Sequence, residues 1–386
     1  MIERENHLII PILSAANFVI GMGAFIVIGL LDPISRDLNI TASQAGWVMT
    51  SYAIAYAIFS PLVVSLTGSM GRRRVLTIGL CILAIANILS ATAPNAITLN
   101  VARILAALGS GMFTPVAAAV AAGLSAPESR GRALATVFFG LTLAQVLGVP
   151  AGSYLAYTFG WRSAFFVVAL LALPFAILTW ICIPAKLKFQ TVNLSDLRQT
   201  LANGPQMLAI LFTASFLAAI YVVYTYLSPL LTGVMGYERN GVTFVLLIFG
   251  FGAVFGNIMG GYLADRLGPF RSLLCLAIAQ AALLPFFSIL PIFDIAFFVL
   301  VFIWSACGWS FMASQQVRLL EMAPESAGVV LALNAAAIYV GAAVGAAIGG
   351  AVLTLTGLNM LGITGGLLAL VTIGHLIWTS KTNAVH

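Results

Sequence analysis

The sequence contains very few charged residues. Of its 386 residues, 7% are charged and 61% are hydrophobic, whereas a soluble globular protein carries about 25% charged residues. A soluble fold of this length would need a charged surface to cover its core. The composition therefore excludes a soluble globular protein and indicates a chain whose surface faces lipid.

Histidine and cysteine are also rare. Two of the three histidines, His7 and His386, lie at the termini, and His375 stands alone in an apolar run. Four cysteines lie in apolar runs without C-x-x-C spacing, which favours structural burial: Cys81, Cys182, Cys275 and Cys307. Neither H-E-x-x-H nor G-x-S-x-G occurs, so we expect no metal site, no cofactor and no membrane-embedded enzyme.

Long apolar runs make up most of the chain. Leu8 to Leu31 contains no charge, and a helix needs about 20 residues to cross a hydrocarbon core of roughly 30 Å. The runs are much longer than the strands of a membrane barrel, so they are predicted to be helices. Twelve spans are predicted, near residues 8–31, 44–66, 75–93, 97–122, 133–155, 163–184, 206–232, 242–264, 272–291, 295–317, 328–355 and 359–379.

The basic residues predict the orientation. With both termini in the cytoplasm, thirteen lysines and arginines fall on the inside, and only Arg36, Arg162 and Arg239 fall in outside loops. This asymmetry satisfies the positive-inside rule. The net charge of +6 is therefore a signal of topology, and no nucleic-acid partner is expected.

The chain also repeats itself. Ala126-Pro-Glu-Ser129 recurs as Ala323-Pro-Glu-Ser326, and four glycine pairs keep the same offset of 197 residues: 71 with 268, 148 with 345, 152 with 349, and 160 with 357. The repeat predicts two parallel six-helix halves, residues 1–184 and 205–386, joined by a cytoplasmic loop at 185–204. In transporters such halves face each other across a central cavity that opens alternately to either side.

Several segments resemble motifs of the major facilitator superfamily. Gly261-Tyr-Leu-Ala-Asp-Arg-Leu-Gly-Pro-Phe-Arg271 resembles its G-x-L-A-D-R-x-G loop motif, and the first-half counterpart has Gly68 where the motif has Asp. The segment that begins at Arg103 resembles the helix-4 motif R-x-x-x-x-x-G-x-G. Gly148-Val-Pro-Ala-Gly152 resembles the helix-5 motif that marks exporters.

The resemblance implies an all-α membrane protein of twelve transmembrane helices with the major facilitator fold. It is nearest to the drug:proton antiporter branch, which also contains arabinose, purine-base and nucleoside efflux permeases. It implies a monomeric, multi-pass protein of the bacterial inner membrane that exports amphipathic or drug-like molecules in exchange for protons, as in multidrug resistance. Nucleobase, nucleoside or sugar efflux remains open, as does a channel or a membrane sensor that transports nothing.

Two further sets of residues are assigned to conformational change. Asp265 at a helix end can accept backbone hydrogen bonds or pair with a neighbouring arginine, and such a latch would favour one state. The predicted gating residues are Gly71, Arg72, Arg73, Asp265, Arg266, Gly268 and Arg271. Close, sliding helix contacts are predicted in helices 5 and 11, from Gly148, Pro150, Gly152, Gly345 and Gly349.

Charged and polar residues inside the spans predict a site. Arg103 lies well inside a span, where a charge is costly and usually functional. Asp32 is the nearest acidic residue that could form an ion pair with it. Asp32, Arg103 and His375 are therefore the candidates for proton coupling. The predicted substrate cavity is partly apolar with scattered hydrogen-bonding groups: Tyr52, Tyr56, Ser110, Thr114, Thr142, Gln145, Tyr221, Tyr224, Trp304, Phe311, Gln315 and Asn334.

Overall fold

A computed structural model describes residues 2–68, 70–125, 130–185, 187, 194–323 and 327–383, and within these ranges the chain is helical with no strand. Twelve helices are long and apolar enough to cross a membrane: α1 (Leu8–Asp37), α2 (Ala42–Val64), α3 (Arg72–Ala91), α4 (Ala96–Leu124), α5 (Arg132–Phe159), α6 (Trp161–Cys182), α7 (Gly204–Gly233), α8 (Arg239–Leu267), α9 (Pro269–Ser288), α10 (Asp294–Met322), α11 (Val329–Thr356) and α12 (Leu358–Ser380). The prediction of twelve spans is therefore confirmed.

The loops fall at two ends of the molecule. Loops that follow odd-numbered helices lie at one end, which we call the distal end, and loops that follow even-numbered helices lie at the terminal end. A short helix, Leu194–Ala202, lies between α6 and α7. The repeated segment 126–129, and all of its counterpart except Ala323, lie outside the described residues.

Several membrane helices are interrupted. The helical ladder of α1 stops at Phe25 and resumes at Val27, while α7 is interrupted at Thr225 and Tyr226. In α5 the turn Ala144–Gly148 is a π-helix, two residues before Pro150. Interruptions of this kind leave backbone groups free to bind other partners.

The repeated glycines of α5 and α11 pack inside their own halves. A Cβ added at Gly148 would lie 2.5 Å from Met22 Cγ, and one added at Gly152 would overlap Ile26 of α1. Gly345 and Gly349 pack in the same way against α7. The close packing at these glycines therefore lies within each half, where their small faces hold α5 to α1 and α11 to α7.

The two halves meet through other surfaces. The N-terminal α2 packs along the C-terminal α11, and α5 packs along α8. At the second contact, a Cβ added at Gly250 would lie 2.5 Å from the Cα of Val146 in the π turn. Because Gly250 has no side chain, the backbones of α5 and α8 can approach closely at this level.

Candidate functional site

Arg103 in α4 is completely buried, and the interruption of α1 supplies its hydrogen-bond partners. Its Nη1 donates to the Gly23 carbonyl at 2.6 Å, and Nη2 donates to the Ala24 carbonyl at 3.2 Å. Both carbonyls belong to the last turn before Phe25, where a helix lacks internal donors. Burying the charge costs about 2.5–3.5 kcal/mol, and two hydrogen bonds from a charged group, at about 1.5–3 kcal/mol each, offset that cost.

The Asp32 carboxylate does not pair with Arg103, contrary to the expectation from the sequence. Its Oδ1 accepts from Arg36 Nε at 3.1 Å, and its Oδ2 accepts from the Tyr157 hydroxyl at 3.0 Å. Asp32 lies eight residues after Ala24, a rise of roughly 12 Å along a helix. The two groups therefore lie at different levels of the bundle, and carbonyl groups take the role expected of the acid.

Aromatic rings from both halves meet beside Arg103. The Tyr56 ring of α2 stacks on Tyr339 of α11, with centroids 3.7 Å apart and an interplanar angle of 26°. Tyr52 lies 6.1 Å from Tyr339, and the Arg103 guanidinium carbon lies 4.4 Å from the centre of the Tyr52 ring. Tyr52 and Tyr56 were predicted, whereas Tyr339 was not, although it is the single aromatic residue in the α11 sequence.

A second aromatic cluster lies within the C-terminal half. Tyr224 stacks on Phe249 at 4.0 Å, and Trp304 lies 5.2 Å from Phe249 and 4.8 Å from Phe287. Within the described chain, the hydroxyls of Tyr221 and Tyr224 and Nε1 of Trp304 are buried without a hydrogen-bond partner. Buried polar groups are nearly always hydrogen-bonded, so these three groups can bind a ligand or water.

Gln145 adds an acceptor from the N-terminal half. It lies in the π turn of α5, and its buried Oε1 has no partner among the described residues. Thr142, three residues earlier, is half-buried. Because π turns recur at functional sites, the placement of Gln145 supports its assignment to the cavity.

The remaining predicted cavity side chains are used inside their own halves: Ser110, Thr114, Phe311, Gln315 and Asn334. Ser110 donates to the Ala106 carbonyl at 3.0 Å, and Asn334 accepts from Thr213 at 2.5 Å. Thr114 and Gln315 are likewise bonded within their halves, and Phe311 stacks on another ring of its own half. The Ser110 bond lies within α4, while the contacts of the other four join helices of one half, and Oε1 of Gln315 remains without a partner among the described residues.

His375 joins α12 to α7. Its Nδ1 lies 3.0 Å from the Ser215 hydroxyl, and its Nε2 lies 3.0 Å from the Leu208 carbonyl. Both ring nitrogens therefore have partners in α7. The geometry gives His375 a role in packing and places it away from Asp32, the other titratable residue predicted for proton coupling.

The terminal-end loops do not form the predicted latch in this conformation. Asp265 is exposed, and it makes no ion pair within the described residues. The hydroxyl of Ser272 instead bridges this loop, with the carbonyls of Leu263 and Gly268 each 2.8 Å away. Gly268 has a φ of 77°, a conformation that favours glycine.

The other predicted gating residues make local contacts. Arg72 is buried at the start of α3, and the Arg73 guanidinium lies 4.4 Å from the centre of the Trp180 ring. Arg266 lies over the Tyr262 ring, at 5.2 Å. Gly71, with a φ of −60°, precedes α3 without needing the left-handed region, and Arg271 is exposed.

The distal end is closed by hydrogen bonds between the halves. The Ser43 hydroxyl of α2 donates to the Gly350 carbonyl of α11 at 2.8 Å and accepts from Thr354 at 3.0 Å. Beside them, Tyr157 of α5 lies 3.1 Å from the Ser228 hydroxyl of α7. A fourth bond, from Arg239 to Thr158 at 3.2 Å, completes the set. Within the described chain, side-chain hydrogen bonds between the halves occur only at this end.

Tyr226 fills a slot at the same closure. It stands at the interruption of α7, and its hydroxyl donates to the Ala346 carbonyl at 2.8 Å. A Cβ added at Gly46 of α2 would overlap the Tyr226 hydroxyl, and one added at Gly349 or Gly350 of α11 would lie 2.7 Å from Tyr226 atoms. The Tyr226 ring therefore packs between the two halves because three glycines leave room for it.

Known proteins share both the sequence pattern and this architecture. The family model of the Major Facilitator Superfamily matches residues 13–346. The uncharacterized MFS-type transporter YbcL of Bacillus subtilis is 32% identical, and the match covers 96% of each chain. A probable sugar efflux transporter of Mannheimia succiniciproducens is 30% identical, and the match covers 98% of this chain and 94% of that protein.

A solved structure shows the same fold. A bacterial homolog of the human lysosomal transporter Spinster, in an inward-facing and unoccupied conformation, superposes with a TM-score of 0.78 at 16% identity, covering 98% of this chain and 97% of that one. Together with the twelve spans and the closed distal end, these matches identify a multi-pass inner-membrane transport protein. The chain belongs to the major facilitator superfamily.

Proposed function

We propose that this protein exports small organic molecules by alternating access, in exchange for protons. The observation that carries the proposal is the closure of the distal end. Four hydrogen bonds and the Tyr226 ring join the halves at the distal end, while Tyr221, Tyr224 and Trp304 retain unpaired polar groups in the interior. A carrier in which one end is sealed beside such a site binds its substrate from the other end.

The asymmetric distribution of basic residues supports export as the direction of transport. Most basic residues lie in loops and helix ends of the terminal end, which the positive-inside rule assigns to the cytoplasm. The sealed distal end then faces outward, so the site is loaded from the cytoplasm. We propose that the two six-helix halves are the units that rotate against each other.

The electrostatics favour an uncharged substrate. Apart from Asp32, every acidic residue lies in a loop or close to the end of a helix, and the buried charge near the Tyr56–Tyr339 stack is the positive Arg103. A permanent cation would find no carboxylate there, and burying an unpaired charge is costly. Tyrosine hydroxyls, the Trp304 N–H and the Gln145 carbonyl suit a neutral molecule with donors, acceptors and a face that can stack on aromatic rings.

Two substrate classes fit these groups. Neutral amphipathic, drug-like molecules suit the aromatic rings, as the sequence predicted. Sugars are the second candidate, because the relative from Mannheimia succiniciproducens is named a probable sugar efflux transporter. Both would stack on rings and hydrogen-bond to the unpaired polar atoms.

Counterflow in proteoliposomes tests the proposal. Vesicles loaded with an unlabelled compound should accumulate the same labelled compound transiently, and the panel should contain pentoses, nucleosides, neutral amphipathic drugs and a permanent cation such as ethidium. We expect counterflow with at least one neutral class and none with the cation. The absence of counterflow with every compound would refute transport of these classes.

Asp32→Asn tests proton coupling. Asparagine keeps the shape of the side chain and can still accept from Tyr157, but it cannot exchange a proton. We expect the variant to lose substrate-driven proton movement, measured with an internal pH dye, while it keeps downhill counterflow. Asp294→Asn is a matched control, because Asp294 also accepts from a tyrosine, Tyr237, at 2.5 Å. Intact proton movement in Asp32→Asn would remove Asp32 from the coupling mechanism.

A further inference from the structure

A second buried arginine lies near the terminal end of the C-terminal half. Arg318 in α10 has only 8% of its surface exposed, and its guanidinium carbon lies 5.7 Å from the centre of the Phe212 ring of α7. Its Nη2 donates to the Thr379 hydroxyl of α12 at 2.7 Å. In the part of the chain that the structure describes, it forms no ion pair.

The surroundings of Arg318 contrast with those of Arg103. Both terminal nitrogens of Arg103 donate to carbonyls, whereas Nη1 of Arg318 is buried and has no acceptor. The Ser314 hydroxyl, one turn earlier on the same face of α10, is also buried without a partner. Two buried hydrogen-bond donors, one of them charged, thus lie unused one turn apart on α10.

The titratable groups nearest to Arg318 in the described chain supply no counter-charge, since Glu321, three residues further along α10, is exposed and makes no ion pair. His375 lies close enough to Arg318 to interact with it electrostatically, and an imidazole is either neutral or positive. Thr379, the one described partner, is a neutral hydroxyl that donates its own proton to the Leu376 carbonyl at 3.0 Å. A buried cation with an unpaired donor is stabilised when an anion pairs with its charge and accepts the hydrogen bond.

The position of Arg318 suggests the source of that anion. It lies four residues before the end of α10 at Met322, a rise of roughly 6 Å, which is close to the depth of the lipid head groups. Leu211 and Trp378, which adjoin the two residues that contact the guanidinium, are exposed on the outer surface of α7 and α12. Basic pockets between membrane helices at this depth bind anionic head groups.

We propose that Arg318 and Ser314 form a binding site for a phosphate group, supplied by an anionic phospholipid or by a soluble phosphate. Arg318 Nη1 and the Ser314 hydroxyl each donate a hydrogen bond to a phosphate oxygen. The guanidinium keeps its bond to Thr379 in α12 while its Nη1 binds the phosphate. The site is separate from the central aromatic residues, and the proposal does not depend on which substrate is transported.

Native mass spectrometry and thermal unfolding of the purified full-length protein test this site. With phosphatidylglycerol, the parent should retain bound lipid and unfold at a higher temperature than with phosphatidylcholine. Arg318→Gln should weaken phosphatidylglycerol binding about tenfold, since it removes a hydrogen bond from a charged donor. Ser314→Ala should cause a smaller loss. Arg271→Gln, which alters an exposed arginine of the same end, should bind like the parent.

A second arm distinguishes the two sources. Glycerol phosphate or inorganic phosphate, added in phosphatidylcholine, should stabilise the parent and not Arg318→Gln if the ligand is soluble, and should have no effect if the ligand is a lipid. If Arg318→Gln fails to fold, the binding measured with Ser314→Ala tests the site. The Ser314 hydroxyl has no partner among the described residues, so its removal should not destabilise the fold. A parent that responds to neither phosphate source, or variants that bind phosphatidylglycerol as the parent does, would overturn the proposal.

Discussion

Gly46→Leu is expected to abolish transport by preventing closure of the distal end. Any side chain at Gly46 meets Tyr226, whose ring is held between α2 and α11 by a hydrogen bond to Ala346. Because the Tyr226 ring is itself buried and enclosed by α11, we expect the overlap to be relieved by separation of α2 from α7 and α11. The variant should therefore populate conformations that are open at the distal end, and counterflow should fall to the level of empty vesicles.

Cysteine labelling measures this shift directly. Ser228→Cys, placed at the closed contact with Tyr157, should react with an impermeant maleimide much faster in the Gly46→Leu background. Gly374→Leu is the control, because a Cβ at Gly374 meets nothing within 4 Å. Adding Tyr226→Ala should restore slow labelling in Gly46→Leu. Unchanged labelling and normal counterflow in Gly46→Leu would show that the slot is not part of the gate.

Substitutions of Arg103 are expected to abolish transport, and the conservative lysine variant is expected to be less stable than the methionine variant. Arg103→Met leaves the Gly23 and Ala24 carbonyls unpaired, at about 1–3 kcal/mol each, but it also removes the burial cost of the charge, about 2.5–3.5 kcal/mol. Arg103→Lys keeps the buried charge and loses the planar fork that reaches two acceptors. We therefore expect Arg103→Lys to be less stable than Arg103→Met, and both to lose counterflow because the interruption of α1 loses its support.

Thermal unfolding of the two variants in one detergent checks that order. Arg36→Lys is the control, because Arg36 is largely exposed beside Asp32 and a surface ion pair contributes about 0–1 kcal/mol. The account of Arg103 would be contradicted if the lysine variant unfolded above the methionine variant, since the charge alone would then be what the site requires.

Hydropathy was sufficient to predict the twelve spans, because a helix that crosses lipid must be apolar over a fixed length. It was less informative about helix ends. The first helix continues past Leu31 to Asp37, because Asp32 and Arg36 pair on its surface and polar residues can continue a helix beyond the apolar core. The repeated glycines correctly indicated close packing, but their spacing alone does not specify which helix fills the groove.

The site was predicted only in part, for a physical reason. Arg103 was recognised from the cost of a buried charge, but its partners are carbonyls released at the interruption of α1, and a backbone interruption has no side-chain signature in this sequence. Tyr339 and Phe249 depend in the same way on which faces of two helices meet. Polar residues such as Asn334 read as cavity groups in the sequence, yet they satisfy one another inside a half.

The most direct test of the account is a reversible cross-link across the distal end. The hydroxyls of Ser43 and Thr354, in opposite halves, lie 3.0 Å apart, so Ser43→Cys with Thr354→Cys, in a background without the native cysteines, should form a disulfide on oxidation. Alternating access predicts that the oxidised protein loses counterflow and that a reductant restores it, while each single cysteine variant is unaffected by oxidation. Full counterflow in the completely cross-linked protein would contradict the account, because the distal end would then not need to open.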